Sequence, residues 1–228
     1  HEMGHALVGH FLPNTDPVHK ISIVSRGQAL GYTISLPAED KFLTTLAELN
    51  DNMAMTLGGR AAEEVVFGEI TTGAANDLEK ATSMAKQMVM RWGMSEKLGP
   101  RVLGHSQSLP FLGREFGQEP DYSDEVANEI DAEIRRIIED AHKRARDILN
   151  EHREQLDVLA RILIERETLE SGEFEVLLDG VPEEEVFHEK DERQAPRGQN
   201  AGEGKKPASE RAPRRPHVGG PAPVNPVP

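Results

Sequence analysis

The sequence predicts a mainly α-helical domain carrying one small β-hairpin or sheet. Three observations lead there. Apolar side chains recur every three to four residues over several long stretches, which is the period of a helix face. Gly- and Pro-rich breaks separate those stretches. Only two short runs alternate residue by residue, as half-buried strands do.

Residues 1–11 read as the first helix, stopped by Pro13 and the turn-rich Asn14-Thr15-Asp16-Pro17. Val18 to Val24 and Leu30 to Leu36 alternate apolar and polar residues, and Ser25 to Ala29 joins them as a hairpin turn. From Lys41 to about Phe67 the pattern is helical, with Leu43, Leu46, Met53, Leu57, Ala61, Ala62 and Val65 as the buried stripe. Gly58-Gly59 inside it signals close packing or a break. After the small-residue loop Thr71 to Ala75, Asn76 or Asp77 caps a helix that runs to Trp92 and ends at Gly93. Residues 104–121 read as a loop. Ser123 caps a long helix on which Val126, Ile130, Ile134, Ile138, Ala141, Ala145 and Leu149 recur. A further helix carries Leu156, Leu159 and Leu163, and a short one covers Glu173 to Leu178. Residues 1–182 are thus expected to form the domain. Residues 183–228, rich in Pro, Gly and charge, are expected to form a disordered tail.

Composition narrows the function. The net charge is −14, and the first 182 residues carry all of it, with 32 acidic and 18 basic side chains. An acidic body argues against nucleic-acid binding, which needs clustered Lys and Arg on phosphates, and against docking on anionic lipid. There are no cysteines, which excludes disulfides and thiolate metal sites and fits a reducing compartment. No apolar run approaches the ~20 residues of a membrane span. The chain does not begin with Met, and His1 already belongs to a motif, so the sequence reads as a fragment of a longer protein.

That motif is His1-Glu2-Met3-Gly4-His5, an H-E-x-x-H. On a helix the two imidazoles stand one turn apart on one face, the spacing that a single Zn²⁺ needs. A carboxylate beside the first ligand can take a proton from an attacking water and return it to a leaving amine. A third ligand is required, and three candidates stand in the sequence. His10 arrives one residue early for H-E-x-x-H-x-x-G-x-x-H and points away from the other two rings. Glu63 or Glu64 offers a carboxylate from a later helix, the thermolysin-like pattern. Asp77 follows the small-residue loop, where its simplest role is a helix cap. The residues alone leave these open. The edge strand Leu30, Gly31, Tyr32, Thr33, Ile34, Ser35 is a candidate to bind an extended peptide by strand addition.

Five segments in order give a sharper reading: His1-Glu2-Met3-Gly4-His5-Ala6, Gly31-Tyr32-Thr33, Leu57-Gly58-Gly59-Arg60-Ala61-Ala62-Glu63-Glu64, Thr72-Gly73-Ala74-Ala75-Asn76-Asp77-Leu78 and Trp92-Gly93-Met94-Ser95. Together they resemble the protease domain of the FtsH family, the membrane-anchored AAA+ zinc metalloproteases, from His1 to about Leu178. The resemblance implies a helical zinc-peptidase domain with its small sheet near the metal site. It implies Zn²⁺ held by His1, His5 and Asp77, with Glu2 as the general base. Glu63 and Glu64 then become structural or support a ligand histidine through its free ring nitrogen. It further implies unfolded protein substrates and a homohexamer. Membrane anchoring comes only through upstream segments, with the protease domain on the cytoplasmic side of a bacterial membrane. ATP belongs to an upstream module, since no G-x-x-x-x-G-K-[ST] occurs here. The competing expectation is a catalytically silent helical oligomerisation domain that keeps the motif for structural reasons alone.

Overall fold

The computed structural model describes residues 1–25, 31–37, 42–104 and 122–194. Helix α1 (Glu2–Phe11) is buried from Met3 through Gly9 without interruption. A helix apolar on every side belongs at the centre of a domain, and the other elements are built around it. Strands β1 (Val18–Ser22) and β2 (Tyr32–Ser35) follow as an antiparallel pair with Ile21 opposite Thr33. Helix α2 (Leu46–Phe67) packs along α1. Thr71 then caps a short 3-10 turn (Thr72–Ala74) leading into α3 (Ala75–Met90).

The long α4 (Asp124–Glu151) opens on Ser123, whose hydroxyl accepts the Val126 N–H. It lies against α2 and α3 through Ile130, Ile134, Ile137, Ala141, Ala145 and Leu149. Helix α5 (Arg153–Arg166), strand β3 (Thr168–Glu170) and helix α6 (Ser171–Leu178) complete the body. The fold is therefore mainly helical with one three-stranded antiparallel sheet, ordered β2-β1-β3. The core is one cluster that draws Met3, Leu7 and Val8 of α1 together with Met53 and Leu57 of α2, Met88 of α3 and Leu149 of α4.

Four expectations are corrected. The second helix starts at Leu46, because Thr45 and Glu48 form a reciprocal capping box that fixes the N-terminus there. Leu43 therefore lies before the helix and is 87% exposed, outside the buried stripe. The third helix starts at Ala75, so neither Asn76 nor Asp77 caps it; Asp77 sits inside its first turn. Strand β3 was not expected, since three residues between two helices are too few to show alternation. Finally, Glu183–Gln194 form a helix, α7, where disorder was expected to begin. Phe187 explains it: this one large apolar side chain is 2% exposed, and the Arg166 guanidinium stacks 4.4 Å from its ring centre. Averaged composition hides a single anchor of that kind.

His1–Glu189 make up one compact unit. Arg26 to Ala29 of the hairpin turn, nearly all of the 104–121 loop and residues 195–228 of the tail lie outside the described residues.

Candidate metal centre

The site begins with two helices that touch backbone to backbone. A Cβ on Gly4 would stand 2.5 Å from the Gly58 carbonyl oxygen, and one on Gly58 would stand 2.7 Å from that of Gly4. Only residues without side chains allow this approach. The next residue, Gly59, faces the two imidazoles: its Cβ would lie 2.5 Å from His5 Nε2 and 2.6 Å from His1 Nε2. The Gly58-Gly59 pair is thus a packing feature inside an unbroken helix, and the room it leaves is filled by the two histidines.

Three donor atoms converge there. His1 Nε2 and His5 Nε2 are 3.2 Å apart, and Asp77 Oδ2 is 3.2 Å from the first and 3.3 Å from the second. Tetrahedral Zn²⁺ with bonds of about 2.0–2.1 Å sets neighbouring donors about 3.3–3.4 Å apart, so the three atoms fit one face of such a tetrahedron. His1, His5 and Asp77 form the one group of three or more potential ligands found among the described residues. A carboxylate and two imidazoles suit Zn²⁺ in chemical type as well.

The remote ring nitrogens are also tied. His5 Nδ1 donates to the Met55 carbonyl at 2.8 Å, since a carbonyl oxygen can only accept, and this turns Nε2 toward Asp77. His1 Nδ1 donates to Glu63 Oε1 at 2.7 Å. The other Glu63 oxygen accepts both the Thr71 N–H, at 3.0 Å, and the Thr71 hydroxyl, at 2.9 Å. One carboxylate therefore orients the first imidazole and anchors the loop that leads to Asp77.

The electrostatics favour a cation. The hydrogen bond to Asp77 is the largest influence on His1 and raises its pKa above the ordinary value; burial opposes it and Glu63 reinforces it. Burial by itself would push the Asp77 carboxyl up, but hydrogen bonds from both histidines outweigh it and hold the group far below the usual carboxylate range. Positive charge is stabilised at the point where the three donors meet.

Glu2 lies on the strand side of α1. The Thr33 hydroxyl stands 2.9 Å from Glu2 Oε2 and 3.0 Å from the Glu2 backbone oxygen. Strand β2 is an edge strand, paired with β1 on one side and with no partner strand on the other among the described residues. Of the candidate peptide-binding residues, Gly31, Tyr32, Thr33, Ile34 and Ser35 follow that edge, and Leu30 lies outside the described residues. His10 is exposed, with its ring against those of Phe11 and Phe174, away from the donors. Glu64 faces α4, 3.2 Å from His142 and 3.5 Å from Arg146. The parts that sequence reasoning missed are the Met55 carbonyl, Gly59 and Thr71. A backbone oxygen leaves no signature in a sequence, whereas Gly59 and Thr71 lay inside or beside motifs already singled out.

Fold and donor set together are those of a helical metallopeptidase domain. A family model described as peptidase family M41 matches residues 1–177, and the chain belongs to that family. It is similar to ATP-dependent zinc metalloprotease FtsH 1 of Conexibacter woesei, 73% identical over 187 residues, which are 82% of this chain and 29% of that protein. FtsH 3 of Symbiobacterium thermophilum is 52% identical over 78% of this chain and 29% of its own length. FtsH of Pseudothermotoga lettingae is 52% identical over 83% of this chain and 31% of its own. The chain spans about a third or less of the length of these curated relatives. Among the described residues no helix is long and apolar enough to cross a membrane.

Proposed function

We propose that the chain is a zinc-dependent endopeptidase domain, with His1, His5 and Asp77 as metal ligands and Glu2 as the general base. The observation that carries this is the set of separations of 3.2, 3.2 and 3.3 Å among three donors. Zinc bound there supplies Lewis acidity to a water and to the scissile carbonyl. Glu63 and the Met55 carbonyl keep both imidazoles turned to the ion. An extended peptide adds along the side of β2 away from β1, held mostly by its backbone, so side-chain selectivity is low. Glu2 takes the proton of the attacking water and returns it to the departing nitrogen.

Relatives whose names read "ATP-dependent zinc metalloprotease" support a wider reading of the full-length protein: a membrane-anchored homohexamer, its protease domain on the cytoplasmic side, that degrades unfolded proteins fed by an ATPase module. The domain by itself cuts only flexible chains.

Zinc analysis of the wild type beside Asp77→Ala, Glu64→Ala and Glu2→Gln tests the assignment. We expect about one zinc per chain in the wild type, Glu64→Ala and Glu2→Gln, little in Asp77→Ala, and casein cleavage in the first two only. Full zinc in Asp77→Ala removes the third ligand. Normal turnover by zinc-loaded Glu2→Gln removes the base. A metal-free oligomer without activity returns the silent assembly domain.

A further inference from the structure

The geometry points to Thr33, with Gly31, as a clamp that fixes which oxygen of Glu2 does the chemistry; the inference rests on the peptidase reading above. Glu2 sits in the first turn of α1 with one carboxylate oxygen, Oε2, within 2.9 Å of the Thr33 hydroxyl. The same hydroxyl lies 3.0 Å from the Glu2 backbone oxygen, so its one hydrogen is shared between that oxygen and the slightly nearer Oε2. On the other side, a Cβ on Gly31 would lie 2.8 Å from Glu2 Cγ and 2.9 Å from Oε1. The carboxylate is thus gripped at Oε2 and has its space at Oε1 only because position 31 lacks a side chain. Both partners stand on the approach to, or within, the edge strand β2, which is itself fixed against β1 by the Ile21–Thr33 and Ser22–Tyr32 pairings.

A glutamate has three rotatable side-chain bonds, and a free one spreads its carboxylate over many positions. A general base must instead lie within hydrogen-bond reach of the proton it removes. With Oε2 accepting from Thr33, Oε1 is the oxygen that takes the proton from the attacking water and gives it to the leaving nitrogen. The Thr33 hydrogen stays on its own oxygen throughout, so Thr33 is a positioning residue. The strand that receives the peptide thereby also sets the base, which couples substrate placement to proton transfer through two residues of spacing.

The test uses the 228-residue chain loaded with zinc, as wild type, Thr33→Val, Thr33→Ser, Gly31→Ala and Glu2→Gln. Valine keeps the shape of threonine and favours a strand, so Thr33→Val removes the hydroxyl while the sheet stays. Two readouts are taken: hydrolysis of an unstructured fluorogenic peptide, and ¹³C NMR of glutamate side-chain carboxyls, with the Glu2 signal identified by its loss in Glu2→Gln. We expect Thr33→Val to keep zinc and KM, to lower kcat by ~10–100-fold, the scale of a misplaced reacting group, and to move the Glu2 carboxyl signal. Thr33→Ser recovers most of kcat and the wild-type signal; Gly31→Ala also lowers kcat, but its methyl would meet the Ser22 carbonyl oxygen at 2.9 Å as well as the glutamate, so the Thr33 pair decides. An unmoved Glu2 signal in Thr33→Val, or a moved signal with wild-type kcat, overturns the clamp while leaving the peptidase intact. A wild type no more active than Glu2→Gln overturns the peptidase reading itself.

Discussion

Gly4 of α1 and Gly58 of α2 meet so closely that a methyl group on either would overlap the other's carbonyl oxygen. The contact sets the depth at which α1 lies on α2, and the histidines of α1 inherit that depth. Gly58→Ala gains roughly 1 kcal/mol of helix propensity but forces apart backbones that cannot yield as a side chain does. We expect a net loss of about 1–3 kcal/mol, the usual range for overpacking, read as a lower urea midpoint with an unchanged slope.

Gly59→Ala behaves differently. Its new methyl would meet side-chain nitrogens at 2.5 and 2.6 Å, and imidazoles can swing away where a backbone cannot. The expected outcome is a folded chain that has lost its metal. Circular dichroism stays close to wild type while bound zinc falls to a small fraction of one per chain.

Glu63→Gln probes the grip on His1. An amide has one accepting oxygen and one donating nitrogen, whereas Glu63 now accepts on both sides, from His1 and from Thr71. One of the two contacts must fail. Loss of such a supporting hydrogen bond typically costs 10–100-fold in metal affinity, to be measured by competition against a chromogenic chelator. Unchanged affinity refutes the orienting role.

Much of this was legible in the sequence, for physical reasons that differ by residue. His1, Glu2 and His5 are close along the chain, and a helix fixes their relation whatever surrounds it. The meeting of Asp77 with both rings spans more than seventy residues, and local pattern gave it a competing role as a cap; only the packing of α1, α2 and α3 brings it to the histidines. Leu43 was misplaced because its spacing matched the stripe while the capping box of Thr45 and Glu48 began the helix later. The contact of Thr33 with Glu2 leaves no mark in the sequence, because a hydroxyl on a strand edge serves peptide or side chain equally well until its neighbour is known.

A pH-dependent prediction concerns Glu133 of α4, buried behind the Trp92-to-Ser95 turn. The Arg136 guanidinium is the chief cause that lowers its pKa; burial opposes, and the Ser95 hydroxyl, donating at 2.7 Å, adds to the lowering. A carboxyl whose folded value is depressed binds fewer protons in the folded chain than in the unfolded one. Its contribution is therefore complete above the ordinary value of 4.5 and disappears as pH falls through the lowered folded value. Glu133→Gln should be about 1–3 kcal/mol less stable than wild type near neutrality. Urea titrations at successively lower pH should show that gap closing below 4.5, and a gap independent of pH contradicts the assignment.

Strand β1 has one neighbour close by in the chain and another, β3, far along it; Ser22 and Thr168 share a hydrogen bond across 146 positions. Asp77, by contrast, precedes Thr168 by about 90 residues. At the ~5–20 residues per second of synthesis, several seconds separate the emergence of the last proposed zinc donor from that of the last strand. A newborn chain therefore passes through an interval in which all three proposed zinc donors have been made while β3 has not. Stalled chains ending before Thr168 that bind zinc yet spare a flexible peptide would display that interval directly.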